Sequence, residues 1–399
     1  MNPMRKETVS VCVICAVAVI TGGWQVAGKK ASELPAPFAT PSANNRPHVI
    51  SQPETAKVAV PTGFTVDVWA EEFSTPRFML QGSHGEILLS DSGTTAATGK
   101  IYAFPNGNPK QRKEVIAGLN RPYGIALWHE YLYVGEPTSI KRFKYDPKTF
   151  SASDGQEILS LKGDEQGHWT RSLLFDREGK KLYVGVGSAG NIEVGNEGRA
   201  AINRVNPDGS DHEIFASGTR NPIGLHWYPG TDTLWAVVQE RDALGDDLVP
   251  DYFTHIEPHG FYGYPWAYSG QIKEPRLGDH QDMIAKSLTP DLLLGAHVAG
   301  LDYVFYTGKQ FPGKYHGGAF VAFHGSWNRS KRVGYEIAFV PFKDGKPTGA
   351  PEDFLTGFVI SPDSPDVWGR PVAVFQMSDG SLLVSDDGGK KIWRVSYKG

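Results

Sequence analysis

Thr170-Arg171-Ser172-Leu173-Leu174-Phe175-Asp176-Arg177-Glu178-Gly179-Lys180-Lys181-Leu182-Tyr183-Val184 is one copy of a pattern that recurs along the chain. An Arg stands where a short apolar run begins, a polar Asp and Gly turn follows, and a second run of Leu, Tyr and Val type comes next. The second run follows the start by about 10 to 12 residues, the offset of two short antiparallel strands joined by a turn. The pattern starts again at Pro76-Arg77, Arg121-Pro122, Arg220-Asn221-Pro222 and Arg370-Pro371. Its second strand returns as Ile87-Leu88-Leu89, Leu132-Tyr133-Val134, Leu234-Trp235-Ala236 and Leu382-Leu383-Val384. A third strand follows in Lys100-Ile101-Tyr102, Ile140-Lys141-Arg142-Phe143, Ile202-Asn203-Arg204-Val205 and Ile392-Trp393-Arg394-Val395. A sixth, looser copy runs from Ala299-Gly300-Leu301 through Ala319-Phe320-Val321-Ala322-Phe323.

Repeats of about 45 to 50 residues built from strands alone are the signature of a β-propeller. The fold expected is all-β, a six-bladed β-propeller over residues 58–399, with its largest insertion between the fourth and fifth copies at 250–296. A pair of β-sandwiches is the alternative. The 46 Gly and 28 Pro residues far exceed the usual share of roughly 12% and exclude a helical bundle. With 40 basic and 44 acidic side chains, a net charge of −4, the chain has no general basic surface for nucleic acid.

Arg5 and Lys6 precede an apolar run over residues 9–20, followed by Gly22, Gly23 and Trp24. A short positive region before such a run reads as an export signal. No small-x-small cleavage site follows, so residues 1–27 read as a signal peptide or an N-terminal membrane anchor held by residues 9–24. Either one places the protein in the periplasm or outside the cell. Residues 28–57, rich in Pro, Ala and Ser, read as a flexible tether. The only cysteines, Cys12 and Cys15, lie in the apolar run, so the folded body uses no disulfide, thiolate ligand or Cys nucleophile.

Arg77, Arg121, Arg171, Arg220 and Arg370 all stand at or beside the start of a first strand. In a propeller these starts converge on one mouth of the central channel. Guanidiniums gathered there repel one another unless an anion or acidic side chains lie between them. Arg pairs with carboxylates through two parallel hydrogen bonds, so a planar polyanion is one reading and a carboxylate brace within each blade is the other. His168, just ahead of Arg171, offers an imidazole at the same mouth, where a near-neutral pKa suits a general base. The run from Glu240-Arg241-Asp242 to Asp246-Asp247 suits an oxygen-liganded cation such as Ca²⁺, or is an acidic turn. Trp327 sits in His324-Gly325-Ser326-Trp327-Asn328-Arg329-Ser330-Lys331-Arg332, where aromatic and cationic groups together suit a conjugated anion. Gly185-Val186-Gly187-Ser188-Ala189-Gly190 fits a dinucleotide fingerprint, but no amphipathic helix follows it, so it reads as a loop.

Gly167-His168-Trp169-Thr170-Arg171, Arg220-Asn221-Pro222-Ile223-Gly224-Leu225, the loop of residues 240–247, Phe261-Tyr262-Gly263-Tyr264-Pro265-Trp266 and residues 324–332 occur in that order. Together they resemble the quinoprotein glucose/sorbosone dehydrogenase family, nearer its sorbosone-dehydrogenase-like branch. The resemblance implies a six-bladed propeller that holds pyrroloquinoline quinone (PQQ) and Ca²⁺ and oxidises an aldose, sorbosone or related sugar. It further implies His168 as the base while hydride passes to the quinone C5 carbon, with Arg220 and Asn221 beside the reacting oxygen. Lys331 and Arg370 match partners of the cofactor carboxylates, and Arg121 is a looser match to a polar contact. Where soluble glucose dehydrogenase offers two backbone carbonyls to calcium from Gly-Pro, this chain has Arg241-Asp242; Asp246 and Asp247 are candidates for a second metal site. Electrons would leave to an acceptor such as a cytochrome or quinone. The rivals are a calcium-dependent lactonase-like hydrolase and a non-catalytic interaction propeller.

Overall fold

The computed structural model describes residues 28–161, 167–195 and 198–399. Six four-stranded antiparallel sheets stand around one axis. The first blade runs outward as Pro76–Gln81, Ile87–Asp91, Gly99–Phe104 and Lys113–Leu119. The second runs from Ile125–Trp128 to Ser151–Ser160, and the third from Arg171–Phe175 to Glu213–Ser217. In the fifth, Gly300–Phe305 is innermost and Glu352–Leu355 outermost. The sixth takes Pro371–Gln376, Leu382–Asp386 and Lys391–Tyr397 from the C-terminus and its outer strand, Phe64–Glu71, from the start of the folded body. Phe64 lies opposite Tyr397 and Glu71 opposite Lys391, which closes the ring. Each innermost strand packs on the next, the sixth on the first.

The second strand of each blade is apolar without alternation because the neighbouring blades cover both of its faces. Ile87–Asp91, Leu182–Val186 and Leu382–Asp386 are buried along their whole length. At the closure, Met79, Leu89 and Phe104 pack with Trp69, Phe73, Leu383 and Ile392, each large side chain contributing about 1.5–3 kcal/mol by burial. Tyr123, Ile223, Leu301 and Val372, from four different blades, meet on the axis with Trp169 against them. They plug the channel and give its mouth a floor.

Two expectations need correction. The large insertion lies inside the fourth blade, not between copies. Pro250–His255 is that blade's third strand, Leu292–Ala296 is its fourth, and residues 256–291 loop out between them. Residues 28–57 are no free tether. Gly28 N–H donates to Leu293 O at 2.8 Å, Phe38 N–H to Leu244 O at 2.8 Å, and His48–Val49 pairs in parallel with Asp366–Val367. Backbone groups that composition cannot report make these contacts. The signal or anchor assigned to residues 1–27 lies outside the described residues; among those described, no helix is long and apolar enough to cross a membrane.

Candidate active site

Two adjoining cavities open at the channel mouth, of about 130 and 220 Å³. His168, Gln239, Ala299 and Trp327 line both. Side chains of the first, third, fourth, fifth and sixth blades converge there, which separates this pair from the other hollows of the surface.

His168 is placed by the loop after Leu182–Val186. Its backbone N–H donates to Ser188 O at 3.1 Å, and its Nδ1 lies 2.9 Å from the same oxygen. A carbonyl only accepts, so Nδ1 carries the proton and Nε2 keeps its lone pair. Gly187 makes this possible: a Cβ there would stand 2.2 Å from Asn221 Oδ1 and 2.5 Å from His168 Cβ. Burial, then the Arg220 guanidinium, pushes the imidazole down to about 3. The near-neutral value expected from sequence is therefore corrected. A positive neighbour in a water-poor site disfavours the imidazolium, and His168 is a neutral acceptor at ordinary pH.

Arg220 donates to Glu240 O at 2.5 Å, to Asn191 O and Oδ1 at 3.2 Å each, and meets Asp242 Oδ2 at 3.2 Å. Asn221 donates from Nδ2 to Gln239 Oε1 at 2.9 Å, while its buried Oδ1 has no hydrogen-bond partner among the described residues. The smaller cavity is acidic. Glu240 is buried, its Oε1 without a hydrogen-bond partner among the described residues. Asp251 accepts Glu240 N–H at 2.8 Å and Ala299 N–H at 2.7 Å, and burial pushes it up to about 7. Asp242 accepts from Asn328 Nδ2 at 2.5 Å, and Asn328 also donates to His297 Nδ1 at 3.0 Å.

The larger cavity is cationic and aromatic. Arg370 lines it, held by Nε to His324 O at 3.2 Å and by a guanidinium nitrogen to Gly325 O at 3.4 Å. Arg77 pairs with Asp387 at 2.9 Å and lies 5.1 Å from the Trp169 ring. His324 Nε2 sits 3.0 Å from the same Asp387. Burial and the Arg370 charge push this second imidazole down to about 4. Arg121 stacks 3.9 Å over Trp169. Its pKa is lowered by burial and by Arg77. Asp387, pulled below the ordinary carboxylate range by His324 and Arg77 against its own burial, offsets part of this positive charge.

Several sequence assignments fall elsewhere. Arg171 does not face the mouth: it is fully buried and donates to Pro137 O at 2.7 Å, His168 O at 2.8 Å and Thr170 O at 2.9 Å. Lys331 pairs with Asp363 at 3.3 Å, both largely exposed, and lines neither cavity. The Asp242 carbonyl assigned to calcium already accepts from Asn191 Nδ2 at 3.0 Å and Arg276 at 2.8 Å. The Arg241 side chain is a buried brace, bonded to Glu240 at 2.9 Å and to Ala267 O at 2.6 Å. Asp246 accepts from Ser330 N–H at 2.9 Å and Asp247 from Arg329 at 2.8 Å, so the second metal site is occupied by protein donors. No three His, Cys, Asp or Glu side chains among the described residues converge as a metal site. Sequence reading missed Gln239, Asp251, His297, Asn328 and Asp387. Asp387 follows the second strand of the sixth copy, the same place Glu240 and Arg241 hold in the fourth, and that correspondence could have found it.

Residues 58–252 and 271–398 match the sequence pattern of the TrAA12-like family. An uncharacterised protein of Borreliella burgdorferi is 29% identical over 357 residues, covering 86% of this chain and 92% of that one. A pyrroloquinoline quinone-dependent pyranose dehydrogenase of Coprinopsis cinerea is 26% identical over 331 residues, 71% of this chain but 44% of that relative. The holo form of a pyranose dehydrogenase PQQ domain from the same organism superposes with a TM-score of 0.72 at 22% identity, covering 86% of this chain and 98% of that one.

Proposed function

The chain belongs to the TrAA12-like family, and on that premise we propose that it is a PQQ-dependent oxidoreductase that oxidises a sugar. The observation that carries the reading is the division of charge at the mouth. Arg77, Arg370 and two Trp rings border one cavity, Glu240, Asp242 and Asp251 border the other, and His168 lies on the seam. The cationic half suits a planar tricarboxylate: Arg370 and Arg77 would hold its carboxylates and Trp169 or Trp327 would flank its ring, while Arg121 lines neither cavity and stacks on Trp169. Calcium would suit the acidic half, where Glu240 Oε1 is a buried acceptor without a donor among the described residues and a hard cation takes oxygen ligands; Asn221 Oδ1, a second such acceptor, belongs to a residue of the adjoining cavity.

PQQ, when bound, supplies a two-electron acceptor for a substrate hydride. The chain's own part is proton handling and charge placement. His168 Nε2, fixed as the acceptor by the Nδ1 bond to Ser188, takes the proton of the sugar hydroxyl. Arg220, anchored by four hydrogen bonds to oxygens of its neighbours, offers fixed positive charge where negative charge develops. Asn221, held by Gln239, keeps its amide beside the same point. The substrate is an aldose, another pyranose or a sorbosone-type aldehyde, and the electrons pass to a cytochrome or a quinone. Arg5, Lys6 and the apolar run after them support a periplasmic or extracellular site of action, with residues 9–24 as signal or anchor. The test is to add a panel of aldoses and pyranoses to protein loaded with PQQ and Ca²⁺. Bleaching of the oxidised quinone band by one of them is the expected result, and a band that no sugar changes would overturn the reading.

A further inference from the structure

The strap of residues 38–46 crosses beside the mouth and touches two loops, residues 240–247 of the fourth blade and 326–332 of the fifth. Both loops line the acidic cavity, the first with Glu240 and Asp242, the second with Trp327 and Asn328. On the first loop, Phe38 N–H donates to Leu244 O at 2.8 Å and Asp246 N–H donates to Thr40 Oγ1 at 2.8 Å. Gly245, at φ +114°, lies under Thr40; a Cβ there would meet Thr40 O at 2.8 Å, so only Gly permits the approach.

On the second loop, Asn45 acts with its whole residue. Its backbone N–H donates to Trp327 O at 2.8 Å, and its Nδ2 donates to Arg329 O and Ser330 O at 3.1 Å each. Its Oδ1 accepts from Arg332 at 2.9 Å, and Arg332 also donates to Arg46 O at 3.0 Å. The Arg46 guanidinium lies 5.7 Å from the Trp327 ring. Pro41 within the strap, with Pro35, Pro37 and Pro47 flanking it, restricts the unfolded segment and so lowers the entropy lost on docking it.

We infer that this strap is a positioning element of the active site: through Thr40 and Asn45 it holds the loops that carry Glu240, Asp242, Trp327 and Asn328 in register across the mouth. The consequence for ligand affinity rests on the proposed function; the consequence for the loops does not. Neither residue lines either mouth cavity, so each acts through the residues it holds.

The test uses the full chain and two substitutions with a conservative control. Thr40→Val keeps shape but loses the hydroxyl acceptor, Thr40→Ser keeps it, and Asn45→Ala removes the side-chain bonds to Arg329, Ser330 and Arg332. Hydrogen exchange of peptides over 240–247 and 326–332 should rise about tenfold in Thr40→Val and Asn45→Ala respectively, the loss of roughly one net hydrogen bond. Thr40→Ser should exchange as wild type, and exchange in the blade strands should not change. PQQ titrated with Ca²⁺ should bind about tenfold more weakly to Asn45→Ala. Unchanged exchange in both loops overturns the strap's role. Faster exchange with unchanged PQQ affinity overturns its bearing on the site. If wild-type protein binds no PQQ, the proposed function fails and exchange alone judges the strap.

Discussion

Arg171 and Arg370 each stand where a first strand begins, in the third and sixth blades, and they end in opposite roles. Arg171 turns inward and gives its guanidinium hydrogens to three backbone carbonyls, leaving no part of itself exposed. Arg370 makes two long bonds, to His324 O and Gly325 O, and lines the cavity. The repeat fixes where the two backbones start; the acceptors within reach decide what each side chain does. Of these two, the guanidinium that finds three close carbonyls is a brace, and the one with two longer bonds is left facing the cavity. His168 and His324 repeat the lesson. Both are held neutral and are only partly exposed, but the Nε2 of His324 is committed to Asp387, whereas that of His168 meets no hydrogen-bond partner among the described residues.

The largest effect should separate the two histidines. His168→Gln should lower kcat by about 10²–10⁴-fold with PQQ affinity nearly intact, the contribution of a positioned base. Wild-type turnover in that variant would place the base elsewhere. The same contrast has a pH signature. Because the folded pKa of His168 lies near 3 and an unfolded imidazole titrates near 6.5, its contribution to stability is full above about 6.5 and is lost as pH falls toward 3. An NMR titration of the imidazole in cofactor-free protein should keep it neutral to about pH 3; a midpoint near 6.5 would contradict the geometry.

Next comes the brace. Arg171→Met leaves buried carbonyls of Pro137, His168 and Thr170 without donors and should cost about 3 kcal/mol in denaturant unfolding. The smaller loss belongs to the binding group. Arg370→Ala should weaken PQQ by about 10–100-fold, a charge-assisted pair of roughly 1.5–3 kcal/mol, with little change in unfolding midpoint. If Arg370→Ala proves the more destabilising of the two, the comparison is broken. Lys331→Ala, at an exposed pair with Asp363, should change PQQ affinity by less than about twofold, against what family resemblance implied.

The blades were legible because each is an apolar phrase punctuated by turns: Pro76-Arg77, Arg171, Asn221 and Pro371 all mark the beginning of an inner strand in the structure. The outer strand Phe64–Glu71 was not assigned to the sixth blade, because a pairing across the whole chain leaves no local signal. His168, Arg220 and Asn221 could be placed at the mouth because strand starts converge there, and Trp327 because it stands among cationic residues; all four line the mouth cavities. Asp251 was not, since within Pro250–His255 it reads as one polar residue of a strand, and only burial against Glu240 and Ala299 gives it meaning. The strap escaped notice because its hold depends on backbone groups and on Thr40 and Asn45, in a stretch whose composition says only that it lacks a core.

The central claim is that opposite charges on the two halves of the mouth are there to take PQQ together with calcium. Titration of PQQ into the purified full chain, followed by its absorption spectrum with Ca²⁺ and then with chelator, tests this most directly. Saturable binding at one site per chain, lost on chelation and weakened by Arg370→Ala, is the predicted result. Binding that is absent, or indifferent to both calcium and Arg370, would contradict it.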